Sequence, residues 1–538
     1  MTTSARALAT FCSRLLPGAC ASALLLGGVS GGGAGDPPTP APWIAKTTAG
    51  LVRGSAADGV VAWLGVPYAA PPMGERRWRP PQPVAAWSGV REATSFAPAC
   101  VQVGVSMPGE APPVTSEDCL YLNVWSGAQS ADERRPVLVW IHGGGWTNGA
   151  TSLPLYAGAT LAKRGIVFVS IAYRLGPLGF LAHPELSAES GEATSGNYGL
   201  MDQIAALAWV QANIAAFGGD PERVTIAGQS AGGMSVSLLM ASPRAAGLFH
   251  AAIAQSGGVF EPTQLAPGYL LENAEKEGLA YAASLGAGDL AALRAMPAEK
   301  LLGGKAGTIS HPVIEPHLLP RSPYEAYVAG EVHDVPVLIG SNAEEGNSLA
   351  ELSRVTAENY SSELQRVWGE LPPPLLAAYP FETDAEARAA RAAFERDLRF
   401  GWDMWAWARL QAKLGRSAFY YRFDHAPPFP AGSVREHWGA AHFAELWYMT
   451  GNLLPADGAW TAADRKLADT LMSYWVNFVR DRDPNGPSLP PWPAFDASGQ
   501  VIVLCEAPRL QPAPVDEALR AFDAVYDAVR GKRFGTPP

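Results

Sequence analysis

The chain alternates short runs of β-branched and other apolar residues with longer segments in which apolar residues recur every three or four positions. A short continuous apolar run is typical of a buried strand, whereas the longer spacing is typical of a helix. The spacing predicts helices over residues 200–217, which end at a Gly-Gly pair, and over residues 231–240. The apolar runs predict strands at residues 137–141, 166–172, 224–227, 251–254, 335–339, 418–423 and 501–504.

Strands that alternate with helices indicate an α/β fold, with a mostly parallel central sheet and helices on both of its faces. In such a sheet, reactive groups collect at the carboxyl ends of the strands. Residues 260–330 and 350–415 lack this alternation and have a mainly helical pattern. Because no long linker separates them from the rest, we interpret them as helical insertions in a single domain, which we predict to span residues 36–538.

The N-terminal segment has the pattern of a signal peptide. Arg6 and Arg14 precede an apolar stretch over residues 19–29, and small residues follow at 30–35, where a signal peptidase would cut. The alternative is an Ala- and Gly-rich tail without a targeting role. We predict a signal peptide over residues 1–35 and an exported protein, either secreted or periplasmic. No later window approaches the roughly 20 apolar residues of a membrane span, so we expect no integral membrane segment in the mature chain.

Composition and charge narrow the class of protein. Hydrophobic residues make up 48% of the chain and charged residues 17%, which is the balance of a globular protein with ample material for a core. The formal net charge of −11 provides no basic surface for nucleic acid or anionic lipid. We therefore expect no nucleic-acid partner, and no pattern in the sequence indicates an oligomeric state.

Cysteine usage fits an exported protein. Of the 5 cysteines, Cys100 and Cys119 enclose a loop that is rich in Pro, Gly and Ser. A disulfide across a loop of this length would stabilise an exported chain by roughly 3 kcal/mol. Cys505 follows an apolar run, and we expect it to be a buried free thiol. Because no histidines cluster with the cysteines, we predict no metal site and no cofactor.

One five-residue motif carries a candidate nucleophile. Gly228-Gln229-Ser230-Ala231-Gly232 fits G-x-S-x-G, in which the serine occupies a sharp turn between a strand and a helix. The turn lifts the serine Oγ clear of the backbone, and the flanking glycines tolerate the close approach that the turn requires. The alternative is a glycine-rich turn with an inert serine. The predicted strand before the motif and the predicted helix after it favour Ser230 as a nucleophile.

A serine nucleophile also needs donors for the oxyanion that forms on the substrate. Residues 142–146 read His-Gly-Gly-Gly-Trp and directly follow a predicted strand. Their glycines leave main-chain N–H groups exposed and allow two of them to point at one position. Together with the N–H of Ala231, this segment predicts three donors.

The residue pattern alone leaves the base and the acid open. The chain has 9 histidines, of which His437 and His442 lie close together. Glu344 and Glu345 follow a predicted strand, which is a suitable place for a catalytic carboxylate. The order serine, acid, histidine is the one found in α/β-hydrolases.

Five longer motifs extend the pattern beyond the serine. They are residues 64–68 (LGVPY), 117–123 (EDCLYLN), 173–176 (YRLG), 197–203 (NYGLMDQ) and 217–232 (FGGDPERVTIAGQSAG). In this order they resemble the type-B carboxylesterases, relatives of the cholinesterases. The resemblance runs from about Gly50 to the C-terminus and is densest between Gly65 and Gly258. It implies the α/β-hydrolase fold and a serine hydrolase that cleaves small-molecule carboxylic esters through an acyl-enzyme.

The resemblance also implies the catalytic roles. The acid of the family is the Glu of an acidic-Glu-Gly triplet after a strand, which matches Glu345 rather than Glu344. Its histidine precedes a segment similar to residues 444–446, which selects His442 over His437. The oxyanion donors of the family match Gly144, Gly145 and Ala231, and Cys100–Cys119 matches its first disulfide. Two ion pairs of the family, structural rather than catalytic, match Arg77 with Glu117 and Arg174 with Asp202.

The chain departs from the family at several positions. Gln229 replaces the Glu that is most common before the serine, and Ala172 replaces an Asn or Ser. The loop 101–118 contains no Trp, which argues against a cholinesterase, because those enzymes carry their choline-binding aromatic residue there. The second and third disulfides of the family are missing.

Two alternative functions are retained. The first is a more specialised ester hydrolase, such as a lipase, a lactonase, or an aryl or polyester esterase. The second is a non-catalytic binding module on the same fold, although such relatives usually lose the serine or the histidine. Phe260, Phe443 and Trp447 are candidate pocket walls, with packing in the core as the alternative for each.

Overall fold

The computed structural model describes residues 43–105, 107–303, 309–513 and 517–531. The predicted signal peptide, residues 1–35, lies outside the described residues.

The strands of the described chain are β1 Ile44–Lys46, β2 Leu51–Arg53, β3 Ser55–Ala57, β4 Val60–Pro67, β5 Val90–Glu92, β6 Ala99–Cys100, β7 Thr115–Ser116, β8 Tyr121–Ser126, β9 Arg135–Ile141, β10 Val167–Ile171, β11 Gly219–Gln229, β12 Ala251–Gln255, β13 Val337–Asn342, β14 Ala418–Phe423, β15 Gln500–Leu504 and β16 Arg509–Pro512.

Eleven of these strands form one mixed sheet in the order β16-β15-β14-β13-β12-β11-β9-β10-β8-β4-β3. The pairs from β15 to β10 are parallel, and the pairs at both outer ends are antiparallel. This confirms the predicted α/β fold with a mostly parallel sheet.

Helices cover both faces of the sheet and fill the two segments that we interpreted as insertions. The predicted helix over 200–217 begins two residues earlier, and its last turn is a 3₁₀ helix, Ile214–Phe217. The α-helices are α1 Ala159–Ala162, α2 Gly176–Phe180, α3 Pro184–Ser190, α4 Tyr198–Asn213, α5 Ala231–Ala241, α6 Leu271–Ser284, α7 Leu290–Ala295, α8 Ala298–Leu301, α9 Pro323–Ala329, α10 Gly346–Leu349, α11 Tyr360–Trp368, α12 Pro373–Ala377, α13 Asp384–Arg396, α14 Trp402–Lys413, α15 Leu446–Thr450, α16 Ala462–Asp481 and α17 Glu517–Arg530.

The two faces of the sheet bury separate hydrophobic clusters. Side chains of β9 alternate between them: Val137 and Val139 belong to one cluster, and Leu138 and Trp140 belong to the other. Helices α4 and α5 cover the first face, and α16 covers the second. A strand that is buried on both faces reads as a continuous apolar run, which is why the sequence revealed it. In the described part of the chain, no helix combines the length and the apolar composition that a bilayer crossing requires.

One disulfide and two ion pairs link segments that are separate in the chain. Cys100 and Cys119 form a disulfide whose Cα atoms are 5.0 Å apart. Arg77 pairs with Glu117 at 2.5 Å, and the buried Arg174 pairs with Asp202 at 2.8 Å. Cys505 is a free thiol but is only half-buried, because it lies just past the end of β15. The expectation of a fully buried Cys505 is therefore wrong.

Candidate active site

Ser230 lies at the turn between β11 and α5, at the carboxyl end of a central parallel strand. Its backbone has φ 57° and ψ −129°, a conformation that a non-glycine residue rarely adopts. Two main-chain hydrogen bonds hold this turn: Ser230 N–H donates to the carbonyl of Gln255 (2.9 Å), and Met234 N–H donates to the carbonyl of Ser230 (2.8 Å). The Ser230 side chain is partly exposed, whereas the strand before it is buried.

The glycines of the serine motif allow the turn to form against its neighbours. A Cβ atom on Gly228 would lie 2.4 Å from the backbone of Gly232. A Cβ atom on Gly232 would lie 2.0 Å from the carbonyl oxygen of Ile141, at the end of β9. Neither position has room for a side chain, because the atoms it would meet belong to the backbone.

His442 and Glu345 form a direct pair at the same end of the sheet. His442 Nδ1 lies 2.6 Å from Glu345 Oε2, and both side chains are almost fully buried. Because a carboxylate only accepts hydrogen bonds, we assign the ring hydrogen to Nδ1, which leaves Nε2 as an acceptor. Glu345 follows β13, and His442 lies between β14 and α15.

Two further groups orient the Glu345 carboxylate. Ser256 Oγ donates to Glu345 Oε1 at 2.5 Å, and the main-chain N–H of Asn342 donates to the same oxygen at 2.7 Å. Ser256 follows β12 and Asn342 ends β13, so both lie at the carboxyl edge of the sheet. The other carboxylate oxygen remains directed at His442.

A second buried carboxyl group, Glu445, lies beside this pair. Gln255 Nε2 donates to Glu445 Oε1 at 3.1 Å, and Asn342 Nδ2 donates to Glu445 Oε2 at 2.5 Å. Burial, and then the charge of Glu345, raise the pKa of Glu445 from 4.5 to about 7.

The structure places the serine and the histidine near one another without a direct hydrogen bond. Among the residues that the structure describes, Ser230 Oγ makes no hydrogen bond to the His442 ring. The residue before the serine, Gln229, contacts the ring instead, with Nε2 at 3.1 Å from His442 Nε2. Bonds between a catalytic serine and its base are often long in a free enzyme and shorten when substrate binds.

The loop after β9 brings main-chain donors beside the serine. A Cβ atom on Gly143 would lie 2.9 Å from Ser230 Cβ, so this loop packs directly on the turn. Gly144 and Gly145 have φ values of 108° and 61°, which favour glycine. Within the described ranges, the N–H groups of Gly144, Gly145 and Ala231 donate to no other group. They are therefore free to bind an oxyanion.

Side chains on both sides of this loop hold it in place. Trp146 Nε1 donates to Ser235 Oγ on α5 at 3.0 Å, and Tyr173 OH donates to the carbonyl of His142 at 2.8 Å. Burial lowers the pKa of His142 to about 4, so its ring is neutral. His142 is thus a buried, neutral part of the loop, and its carbonyl is held by Tyr173.

The three candidate pocket walls are all buried. Phe260 packs against Tyr327 and Trp407, and Trp447 packs against Phe429. Phe443 contacts the His442 ring, with ring centroids 4.3 Å apart.

No group of three or more His, Cys, Asp or Glu side chains in the described residues is arranged to hold a metal ion.

Sequence reasoning missed several residues around the base. Ser256 follows β12 and Asn342 ends β13, two strands that the sequence predicted. A position at the carboxyl end of a strand was the signal for Glu344 and Glu345, and it applied to these two residues as well. Phe400 stacks on the His442 ring with a centroid distance of 4.7 Å, yet it lies in a π-helical turn, Asp397–Gly401, inside a helical insertion. No local sequence signal points to it.

A serine on a strand-to-helix turn, at the carboxyl edge of a mostly parallel sheet, defines the class of α/β-hydrolases. The profile of the Carboxylesterase family matches residues 41–520. The chain belongs to this family and is a serine hydrolase of carboxylic esters.

Individual relatives and solved structures agree with this assignment. The chain is 37% identical to the fumonisin B1 esterase of Sphingopyxis macrogoltabida over 479 residues, 85% of this chain and 86% of that protein. It is 34% identical to the para-nitrobenzyl esterase of Bacillus subtilis (strain 168) over 500 residues, 88% of this chain and 97% of that protein. A solved carboxylesterase from Geobacillus stearothermophilus has a TM-score of 0.77 at 34% identity and covers 89% of this chain and 99% of its own.

Proposed function

We propose that Ser230 is the nucleophile of this carboxylic-ester hydrolase, His442 its base and Glu345 the acid that orients the base. We also propose that the N–H groups of Gly144, Gly145 and Ala231 bind the oxyanion. The observation that carries the proposal is the 2.6 Å bond between His442 Nδ1 and Glu345 Oε2. Ser230, the residue that this pair would activate, lies between a strand and a helix as the serine motif requires.

In the first step, Ser230 Oγ attacks the ester carbonyl carbon while its proton moves to His442 Nε2. Glu345 accepts the Nδ1–H bond, fixes the ring orientation and offsets the positive charge of the imidazolium. The carbonyl oxygen becomes negative and accepts hydrogen bonds from the three main-chain donors. Each such donor contributes about 3 kcal/mol at the barrier.

In the second step, His442 gives its proton to the leaving alkoxide, and the alcohol departs from the acyl-enzyme. A water molecule then attacks the acyl carbonyl carbon, and His442 accepts its proton. Collapse of this second tetrahedral intermediate releases the carboxylic acid and returns the proton to Ser230 Oγ. Atoms and charge balance with water as the only co-reactant.

Replacement of the nucleophile tests the proposal. Ser230→Ala should lower kcat for a p-nitrophenyl acyl ester by about 10⁴-fold or more, because the remaining donors bind substrate but form no acyl-enzyme. Ser237→Ala on the same helix is the matched control, since among the described residues its Oγ bonds only to the carbonyl of Met234. The control should keep turnover within about twofold. Parent-like hydrolysis by Ser230→Ala would refute the assignment.

The substrate class is a small-molecule carboxylic ester. We propose that the chain acts as a general carboxylesterase, which the breadth of names among its relatives supports. Turnover of p-nitrophenyl esters should then fall as the acyl chain lengthens from acetate to decanoate. A preference for long chains would identify a lipase instead.

We also propose that the protein is exported and that residues 1–35 are its signal peptide. The Cys100–Cys119 disulfide supports this proposal, because disulfides persist mainly in oxidising compartments. The N-terminal pattern of two arginines, an apolar stretch and small residues supports it independently.

A further inference from the structure

The two faces of the His442 ring are in contact with two different side chains. Gln229 Nε2 lies 3.1 Å from His442 Nε2 and 3.3 Å from His442 Nδ1. The two ring nitrogens flank Cε1, and an atom this close to both would overlap Cε1 if it lay in the ring plane. The Gln229 amide nitrogen therefore lies over one face of the imidazole.

Phe400 covers the other face. Its ring is parallel to the imidazole, with an interplanar angle of 2° and a centroid distance of 4.7 Å. A parallel ring at this distance leaves no room for an amide on the same side. The imidazole is thus held between the Gln229 amide and the Phe400 ring.

The Gln229 amide is buried, and its oxygen lacks a partner. Gln229 is 0% exposed, and within the described residues no group donates to its Oε1. A Cβ atom on Gly143 would lie 3.2 Å from this oxygen, so Oε1 points toward the loop that carries the main-chain donors. A buried amide with an unpaired oxygen is costly, which indicates that the position serves the site rather than stability.

We propose that Gln229 is a positioning residue that clamps the His442 ring and keeps an uncharged group against its face. The inference rests on the proposed role of His442 as base. An N–H group over an aromatic face attracts a neutral, electron-rich ring and repels the imidazolium. A carboxylate in the same place would stabilise the imidazolium, so less of the ring would be in the neutral form that accepts the serine proton near neutral pH.

The surroundings of His442 explain why an uncharged residue fits here. Glu345 bonds to the ring from the β13–α10 segment, and the other charged or titratable groups that face this region are also mostly acidic. They are Glu344, Glu445, Asp397 with its partner Arg396, and Tyr421. One more carboxylate at position 229 would add to a site that is already negative.

The test is the pH profile of kcat/KM for a p-nitrophenyl ester in two variants. Gln229→Glu keeps the shape and adds a charge at the ring, and it should move the acidic limb of the profile up by about one pH unit. Gln229→Leu removes the amide, and it should lower kcat about threefold at unchanged KM, with an upward shift of the limb that is smaller than in Gln229→Glu. The exposed Gln129→Glu adds the same charge elsewhere and should match the parent.

Each result decides the proposal. A shifted limb in Gln229→Glu together with a lower kcat in Gln229→Leu supports it. If the acidic limb of Gln229→Glu stays within about 0.2 pH units of the parent and of Gln129→Glu, the proposal is overturned. The proposed function would still stand in that case, provided that Ser230→Ala loses turnover as expected. If Gln229→Glu does not fold, parent-like kcat in Gln229→Leu overturns the proposal, and full activity in Ser230→Ala overturns both.

Discussion

Two buried carboxyl groups, Glu345 and Glu445, lie near the His442 ring, and they differ in the hydrogen bonds that they accept. Glu345 accepts bonds from Ser256, Asn342 and His442. Glu445 accepts from two side-chain amides, and burial together with the charge of Glu345 raises its pKa to about 7. A proton held by Glu445 limits the negative charge behind His442 at mildly acidic pH.

Glu445 should make the stability of the protein depend on pH. Its pKa is raised in the folded state, so the folded protein binds a proton at Glu445 more tightly than the unfolded chain does. The stabilisation that this proton gives to the folded state is complete below about pH 4.5 and is lost as pH rises toward 7. This loss amounts to about 3 kcal/mol in the free energy of unfolding. When urea unfolding is measured at pH 5 and at pH 8, the free energy of unfolding should fall less in Glu445→Gln than in the parent. Equal falls in the two proteins would contradict the assignment.

At the scale of residues, the residue pattern alone pointed to Ser230 as the proposed nucleophile but left the proposed base and acid open. The serine motif depends on local backbone geometry, which adjacent glycines reveal. Glu344 and Glu345 are neighbours in sequence, yet Glu345 reaches His442 while Glu344 accepts from the N–H of Ala440. This difference in direction depends on tertiary packing, so only the resemblance to a family separated the two.

At the scale of elements, the site depends on a close approach of α5 to the end of β9. Gly232 lies in the first turn of α5 and is in contact with the backbone of Ile141. The approach brings the N-terminus of α5, and with it the N–H of Ala231, beside the loop that begins at His142. The partial positive charge of the helix N-terminus then lies where we propose that the oxyanion forms.

Gly232→Ala should separate these two elements. The added Cβ would meet the Ile141 carbonyl oxygen at 2.0 Å, and because the backbone cannot yield locally, we expect a loss of about 3 kcal/mol in stability and of most activity. Gly288→Ala is the control, since a Cβ there meets nothing within 4 Å. Thermal unfolding and turnover of both variants test this. Similar behaviour of the two variants would be evidence against the close approach.

Element prediction succeeded where burial makes the sequence uniformly apolar. All seven predicted strands are present, because strands buried on both faces read as apolar runs. Strand β8 was not predicted, since Asn123 interrupts its apolar run. Its amide donates to Thr151 and Ser170 inside the core, which a pattern of hydrophobic residues does not reveal. The π-helical turn that carries Phe400 likewise depends on tertiary packing.

At the scale of the whole molecule, the fold brings together groups that are far apart in the chain. Ser230 follows β11, Glu345 follows β13, and His442 follows β14, and these strands lie on the same parallel part of the sheet. The carboxyl ends of parallel strands meet at one edge, so the architecture itself assembles the site. The fold class was predictable from the alternation of elements, whereas the contact between Gln229 and His442 required coordinates.

The reaction of the folded protein with a fluorophosphonate, followed by mass spectrometry of its peptides, tests the central claim most directly. Such a probe reacts only with a serine that a base has activated. We predict one adduct per chain, located on Ser230, formed slowly in His442→Ala and absent after unfolding. An unlabelled folded protein, or an adduct on another serine, would contradict the account.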